Sequence, residues 1–150
     1  MYRRRGGEVE VFLVHPGGPF AAGKDQGIWS IPKGEHGPGE DPLEAAKREF
    51  REETGLQPDE EFRGLGEVRQ SGFKTVRAWA FEGDCDPAGN RSNTFEMEWP
   101  PHSGRKGTFP EVDRAAWFPL AEAKRRIVRG QVPLLEALER LLASPPDGLP

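Results

Sequence analysis

Apolar and polar positions change period several times along this chain, and each change predicts an element. From Glu8 to His15, Val9, Val11 and Leu13 alternate with Glu10, Phe12 and Val14, so both sets are largely apolar. That pattern predicts a strand covered on both faces for much of its length, closed by Pro16-Gly17-Gly18-Pro19. From Leu43 the period lengthens: at roughly 100° per residue, Leu43, Ala46 and Phe50 share one stripe, which predicts an amphipathic helix. Asp41 caps it, Pro42 suits its first turn, Glu44 pairs with Arg48 at i, i+4, and Gly55 after Thr54 ends it. Leu65 to Gln70 reads as a strand, and Lys74 to Phe81 alternates plainly. Val76, Ala78 and Ala80 lie on one face, and Thr75, Arg77, Trp79 and Phe81 on the other. Thr94 to Trp99 alternates again, Phe95, Met97 and Trp99 against Glu96 and Glu98, until Pro100-Pro101.

A short strand is predicted around Ala116-Trp117-Phe118, then two helices. Leu120 to Arg129 turns Leu120, Ala123 and Ile127 inward; Pro133 to Ala143 has Leu134, Leu135, Leu138, Leu141 and Leu142 as its apolar face. Asp59-Glu60-Glu61 and Gly83 to Asn90 read as turns. His102, Arg105 and Lys106 sit with Gly104 and Gly107 in a mobile basic loop. Arg3-Arg4-Arg5 predicts a solvated turn before the first full strand. One domain over residues 1–143 is expected, with 144–150 as a disordered tail.

Composition narrows the setting. Charged residues make up 31%, hydrophobic ones 35%, and the net charge is −4 with no basic stripe, which argues against a nucleic-acid partner. Any anionic ligand would then have to be drawn in by local charges rather than by the overall field. No run approaches the roughly 20 apolar residues that span a bilayer, and no signal peptide is visible. The reading is a cytoplasmic protein without a membrane partner, monomer or homodimer. Cys85 stands in a Gly/Asp/Pro context and reads as a loop residue rather than a nucleophile. His36 reads as a surface residue.

The chemistry concentrates between Gly34 and Leu56. Glu49, Glu52 and Glu53 lie at i, i+3 and i+4, on one helix face about a quarter turn from the apolar stripe. Three like charges there repel one another, and a hard cation with oxygen ligands reverses that sign. Glu53 lies nearest the apolar edge and is expected to be the most buried. Gly34, Glu40, Arg48-Glu49, Glu52-Glu53, Gly55 and Leu56 together carry the spacing of the Nudix box. The chain resembles a Nudix hydrolase from about Val9 to Leu142.

The resemblance implies an α/β fold, the Nudix α/β/α sandwich with a mixed, curved sheet. It implies hydrolysis of a nucleoside diphosphate linked to another group, by water attack on phosphorus with Mg²⁺, or Mn²⁺ as the alternative. Glu49, Glu52 and Glu53 are implied metal ligands, one of them also a base for the attacking water, with the Gly34 carbonyl as a further contact. Arg48 and Glu40 orient the catalytic glutamates. In this family an apolar strand precedes the arginine-rich turn; here only Met1 and Tyr2 remain of it, so that strand is truncated or the natural start lies upstream. Its loss would leave unpaired strand edges.

A fourth acidic group often comes from outside the box. Glu111 stands six residues before Trp117, the spacing of the diadenosine tetraphosphate hydrolases, and is preferred to Glu98. The Trp29-x-x-Pro32-Lys33-Gly34 lead-in resembles the same branch, whereas the tyrosine with which that branch stacks a base is missing. Trp79, Phe81 or Phe73 can take its place, since stacking needs a flat aromatic face. Lys33 is a candidate phosphate contact, Trp29 either core or stacking residue, and Arg105 and Lys106 a clamp on distal phosphates or a second nucleotide. A dinucleoside polyphosphate is thus the expected substrate. The alternatives are a house-cleaning nucleoside triphosphate pyrophosphohydrolase and a non-catalytic nucleotide-sensing module; nucleotide sugars and inositol pyrophosphates come after these.

Overall fold

The computed structural model of the chain describes residues 1–33, 39–58, 61–71 and 74–143, and for 70, 71 and 74 the backbone only. The expectations for Gly34, His36, Asp59, Glu60, Phe73 and the 144–150 tail lie outside the described residues. The structure is built around β2 (Glu8–Pro16), which pairs antiparallel with β1 (Tyr2–Arg5) on one edge and β7 (Val112–Pro119) on the other. Its apolar residues divide by parity, as a strand buried on both sides requires. Val11 and Leu13 join one core with Trp29, Ala123, Ile127, Leu135 and Leu138. Phe12 and Val14 join a second with Val112 and Trp117. Helices α2 (Leu120–Arg126) and α3 (Val132–Ala143) cover the first face. Helix α1 (Pro42–Thr54) covers the second, its Phe50 ring 6.4 Å from that of Phe12. This is the expected α/β/α sandwich.

Strands β3 (Arg63–Ser71) and β4 (Lys74–Ala80) form a hairpin beyond β1. The Tyr2 N–H donates to the Phe81 carbonyl (3.0 Å) and Gly83 N–H donates back to Tyr2 (2.9 Å), a parallel link that makes the sheet mixed. A second hairpin pairs β5 (Thr94–Glu98) with β6 (Lys106–Pro110), from Thr94↔Pro110 to Glu98↔Lys106.

The structure departs from the sequence reading at four places. Arg3 to Arg5 form β1 rather than a turn, which is made instead by Gly6 and Gly7 at φ 57° and 83°. Arg3 is held there because it pairs with Glu10 (2.8 Å) and Asp84 (2.7 Å) and lies 4.2 Å over Trp117. The basic loop shrinks to a hairpin tip, since Lys106 to Pro110 pair with β5 despite a Gly and Pro content that hides the alternation. The strand around Trp117 runs the longer course 112–119. Helix α2 stops at Arg126, because Ile127 turns extended and Val128 N–H donates to the Trp29 carbonyl at 2.8 Å. None of the described helices is long and apolar enough to cross a membrane.

Candidate active site

Helix α1 starts and stops where its caps dictate. The Asp41 carboxylate accepts from Glu44 N–H (3.1 Å), and Gly55 closes the helix at φ 76°, its N–H donating to the Arg51 carbonyl. Glu44 is met by Lys47 at 3.3 Å, one residue earlier than the expected partner Arg48. Arg48 faces the other way. Its Nε and Nη2 bond both oxygens of Glu40 (3.0 and 3.1 Å), and its Nη1 reaches Glu49 (2.9 Å) and Glu52 (3.2 Å). One planar guanidinium thus braces three carboxylates, and the Glu40 hydrogen bond is the largest reason its pKa is raised.

The last turn of α1 carries carbonyls that the helix itself cannot satisfy. Arg91 N–H takes that of Thr54 (2.8 Å) and Asn93 N–H that of Glu52 (3.2 Å). The series continues: Glu111 N–H donates to Asn93 (2.8 Å) and Gly17 N–H to Glu111 (3.0 Å). This ladder of amides sets Glu111 beside the acidic edge, and its charge bears on both Glu49 and Glu53. Glu98 sits out on β5, its carboxylate accepting from His102 N–H at 2.7 Å. Of the two, Glu111 is the one whose charge reaches the acidic edge.

Burial raises the carboxyl of Glu53 to about 8; the Lys33 N–H, donating to Oε2 at 2.5 Å, opposes that shift, and the charges of Glu49 and Glu111 add to it. Glu49 is raised as well, by burial first, with Arg48 opposing and Glu52 and Glu111 adding. Glu53 is the more strongly shifted by burial, as its place near the apolar edge led one to expect. Among the described residues no three acidic, His or Cys side chains already converge as a metal cage. The chemistry of the set nevertheless fits a hard divalent cation: clustered carboxylate oxygens, two of them on groups whose charged form the fold alone disfavours. Glu49, Glu52, Glu53 and Glu111 are the residues that could hold one.

Beside the acidic edge, a cavity of about 580 Å³ opens against Leu43, Ala46 and Phe50 of α1. All seven residues from Thr75 to Phe81 line it, with Leu134, Leu135 and Leu138 of α3 beyond. Consecutive residues of a strand point to opposite faces, so the cavity runs along the edge of β4. Lys33 lines it and its charge is felt by Glu53, which joins the two regions. Trp79 lines it too, half-buried, with the Arg77 guanidinium 5.6 Å from its ring. Two aromatic candidates are buried against the core. Trp29 is 2% exposed, its N–H bound to Asp25 (3.0 Å) and its ring set edge-on to Phe118 and His15. Phe81 is buried, packed on Phe50 at 5.3 Å and Phe62 at 5.1 Å. Arg105 and Lys106 stand exposed at the hairpin tip, away from this cavity. Cys85 is half-buried, its carbonyl accepting from Trp117 Nε1.

Sequence reasoning missed the 91–93 segment, whose Arg91 and Asn93 meet the helix through backbone amides and so leave no side-chain signal. It also missed Lys47 and Phe62, which line the cavity 4.8 Å from one another. A Nudix-domain family model matches residues 1–138. No curated protein matches the chain. Solved structures of similar fold include the Ap4A hydrolase of C. elegans in a binary complex, 22% identical, TM-score 0.60, over 95% of this chain and 92% of that one. A MutT protein from Methanosarcina mazei Go1 is 19% identical, TM-score 0.60, over 95% and 91%. The NUDIX domain of Shewanella oneidensis NrtR, complexed with ADP ribose, is 16% identical, TM-score 0.61, over 95% and 83%. With the family matched over nearly its whole length and the box helix braced as described, the chain belongs to the Nudix family, as a hydrolase of phosphoric anhydrides.

Proposed function

We propose that this chain hydrolyses a phosphoanhydride bond in a dinucleoside polyphosphate such as diadenosine tetraphosphate. The observation that carries the reading is the place of Glu111, tied by the amide ladder to Glu52 and acting on Glu49 and Glu53. A fourth carboxylate beside three others is destabilising by itself; it suits a divalent ion. We assign Glu49, Glu52, Glu53 and Glu111 to Mg²⁺, or Mn²⁺, with the Gly34 carbonyl as a further ligand. Bound there, the ion supplies charge neutralisation at phosphate oxygens and a more acidic water.

The chain's own residues do the rest. Glu49 or Glu52 accepts the proton of the attacking water. Both are held by Arg48 Nη1, and Glu40 holds Arg48, so the accepting oxygen stays oriented as its charge changes. Lys33, whose charge already reaches Glu53, places an ammonium beside the polyphosphate. Trp79 offers a flat face in the cavity to one base.

The test is turnover with Mg²⁺ on a panel of dinucleoside polyphosphates and of oxidised and ordinary nucleoside triphosphates. We expect the tetraphosphate-bridged dinucleotide to be preferred and to yield ATP plus AMP. Preference for triphosphates with release of pyrophosphate would replace this substrate by a house-cleaning one. Unchanged ligand binding without turnover, in wild type and in the Glu52→Gln, Glu53→Gln double variant alike, would mark a sensing module.

A further inference from the structure

Phe20 is the exposed large apolar side chain among the described residues, at 62%. Its ring meets the half-buried Trp99 edge-on at 5.3 Å. The segment leading to it is fastened at both ends of the β5–β6 hairpin. Gly17 N–H bonds the Glu111 carbonyl at the hairpin's base, and a Cβ on Gly17 would stand 1.9 Å from the Pro110 carbonyl oxygen, so no larger residue fits that approach. Gly18, at φ 97°, lies against the Phe95 ring, and Phe20 then reaches Trp99 at the tip. Hairpin and loop therefore form one wall that begins at Glu111 and ends on an aromatic pair. Trp99 bonds Arg105 one rung past Glu98↔Lys106. At about 3.3 Å per residue, that rung is about 17 Å from the Thr94↔Pro110 rung beside Glu111. Neither Arg105 nor Lys106 enters an ion pair among the described residues, while Glu98 is occupied by His102 N–H.

We propose that Phe20 and Trp99 form a second base subsite, which takes the nucleobase at the far end of a polyphosphate chain cut at the acidic edge. Arg105 and Lys106 at the same tip bear on the phosphates that lead to it. The subsite rests on the reading of the substrate as a two-base molecule. A flat, solvated aromatic at the end of a hydrogen-bonded hairpin suits base stacking, whose strength comes from any π-face and needs no hydrogen-bond readout.

The experiment compares diadenosine tetraphosphate with adenosine tetraphosphate, which has one base, in wild type, Phe20→Ala and Phe20→Tyr. We expect Phe20→Ala to raise KM about tenfold for the two-base substrate and under about twofold for the other, with kcat kept and Phe20→Tyr restoring the wild-type value. Equal effects on both substrates, or none, overturn the subsite. So does a loss of dimer on Phe20→Ala by sedimentation, which would make the pair a contact between copies. Quenching of tryptophan fluorescence by the dinucleotide without Mg²⁺, in wild type and Trp99→Phe, separates this inference from the reaction. Quenching that needs Trp99 without any dinucleotide turnover keeps the subsite and sinks the reaction; turnover without Trp99-dependent quenching does the reverse. The absence of both sinks both.

Discussion

The acidic edge of α1 and the tip of the β5–β6 hairpin are built by opposite means. At the edge, each glutamate is gripped: Glu40, Glu49 and Glu52 by one guanidinium, Glu53 by a backbone amide. At the tip, Phe20 meets Trp99 edge-on with most of its surface in solvent, and the cations stand exposed. Chemistry that moves a phosphoryl group needs charges fixed before the reaction, whereas recognition of a base tolerates an adjustable surface. The contrast teaches that substitutions at the edge should act on kcat, and those at the tip on KM.

Four changes break or sharpen that contrast. The largest effect is expected from Arg48→Ala, which releases three carboxylates at once. It should lower kcat or metal affinity by about 10- to 100-fold without a matching rise in KM, measured by steady-state kinetics over a Mg²⁺ titration. A rise in KM alone would place Arg48 on the substrate. Next, Glu111→Gln should weaken the Mg²⁺ dependence of turnover by about tenfold, while Glu98→Gln leaves it unaltered. The reverse order would move the fourth ligand to the hairpin.

The third concerns pH. The folded protein holds a proton on Glu53 up to about 8, against an ordinary value of 4.5, so between those values the folded state binds a proton that the unfolded chain has lost. Stability without metal should therefore fall as pH rises through this window. Melting with a chelator at pH 5.5 and pH 8 should show that decline, and Glu53→Gln should flatten it. A slope that persists in the variant would locate the titration elsewhere. The smallest is Gly55→Ala, which places a side chain at φ 76° and against Arg91 Cβ at 2.9 Å. About 1 kcal/mol of stability should be lost in chemical denaturation, with kcat reduced through the Thr54–Arg91 contact; a neutral outcome would mean the cap relaxes.

Much of the edge was legible beforehand because its signals are local. Asp41, Gly55 and the Glu49, Glu52, Glu53 spacing are read within one helix, whereas Glu111 is singled out only through a family resemblance. The tip was not. Gly104, Gly107 and Pro110 erase the alternation that would betray β6, and a partner strand is visible only in three dimensions. Trp29 illustrates the same limit: its sequence neighbourhood suits a core or a stacking residue equally, and only its burial behind Asp25 and Phe118 decides. Phe81 shares the parity of Trp79, yet its own ring packs on Phe50 and Phe62 and is buried.

Tyr2 has a wider consequence. Among the described backbone hydrogen bonds, those joining the 63–83 hairpin to the central three strands run through this residue, with the cavity lying just beyond it. A single rivet makes a seam. Under stress the molecule should part along it before β2 loosens from β7, with the amides of β3 and β4 taking up deuterium while those of the central strand stay protected.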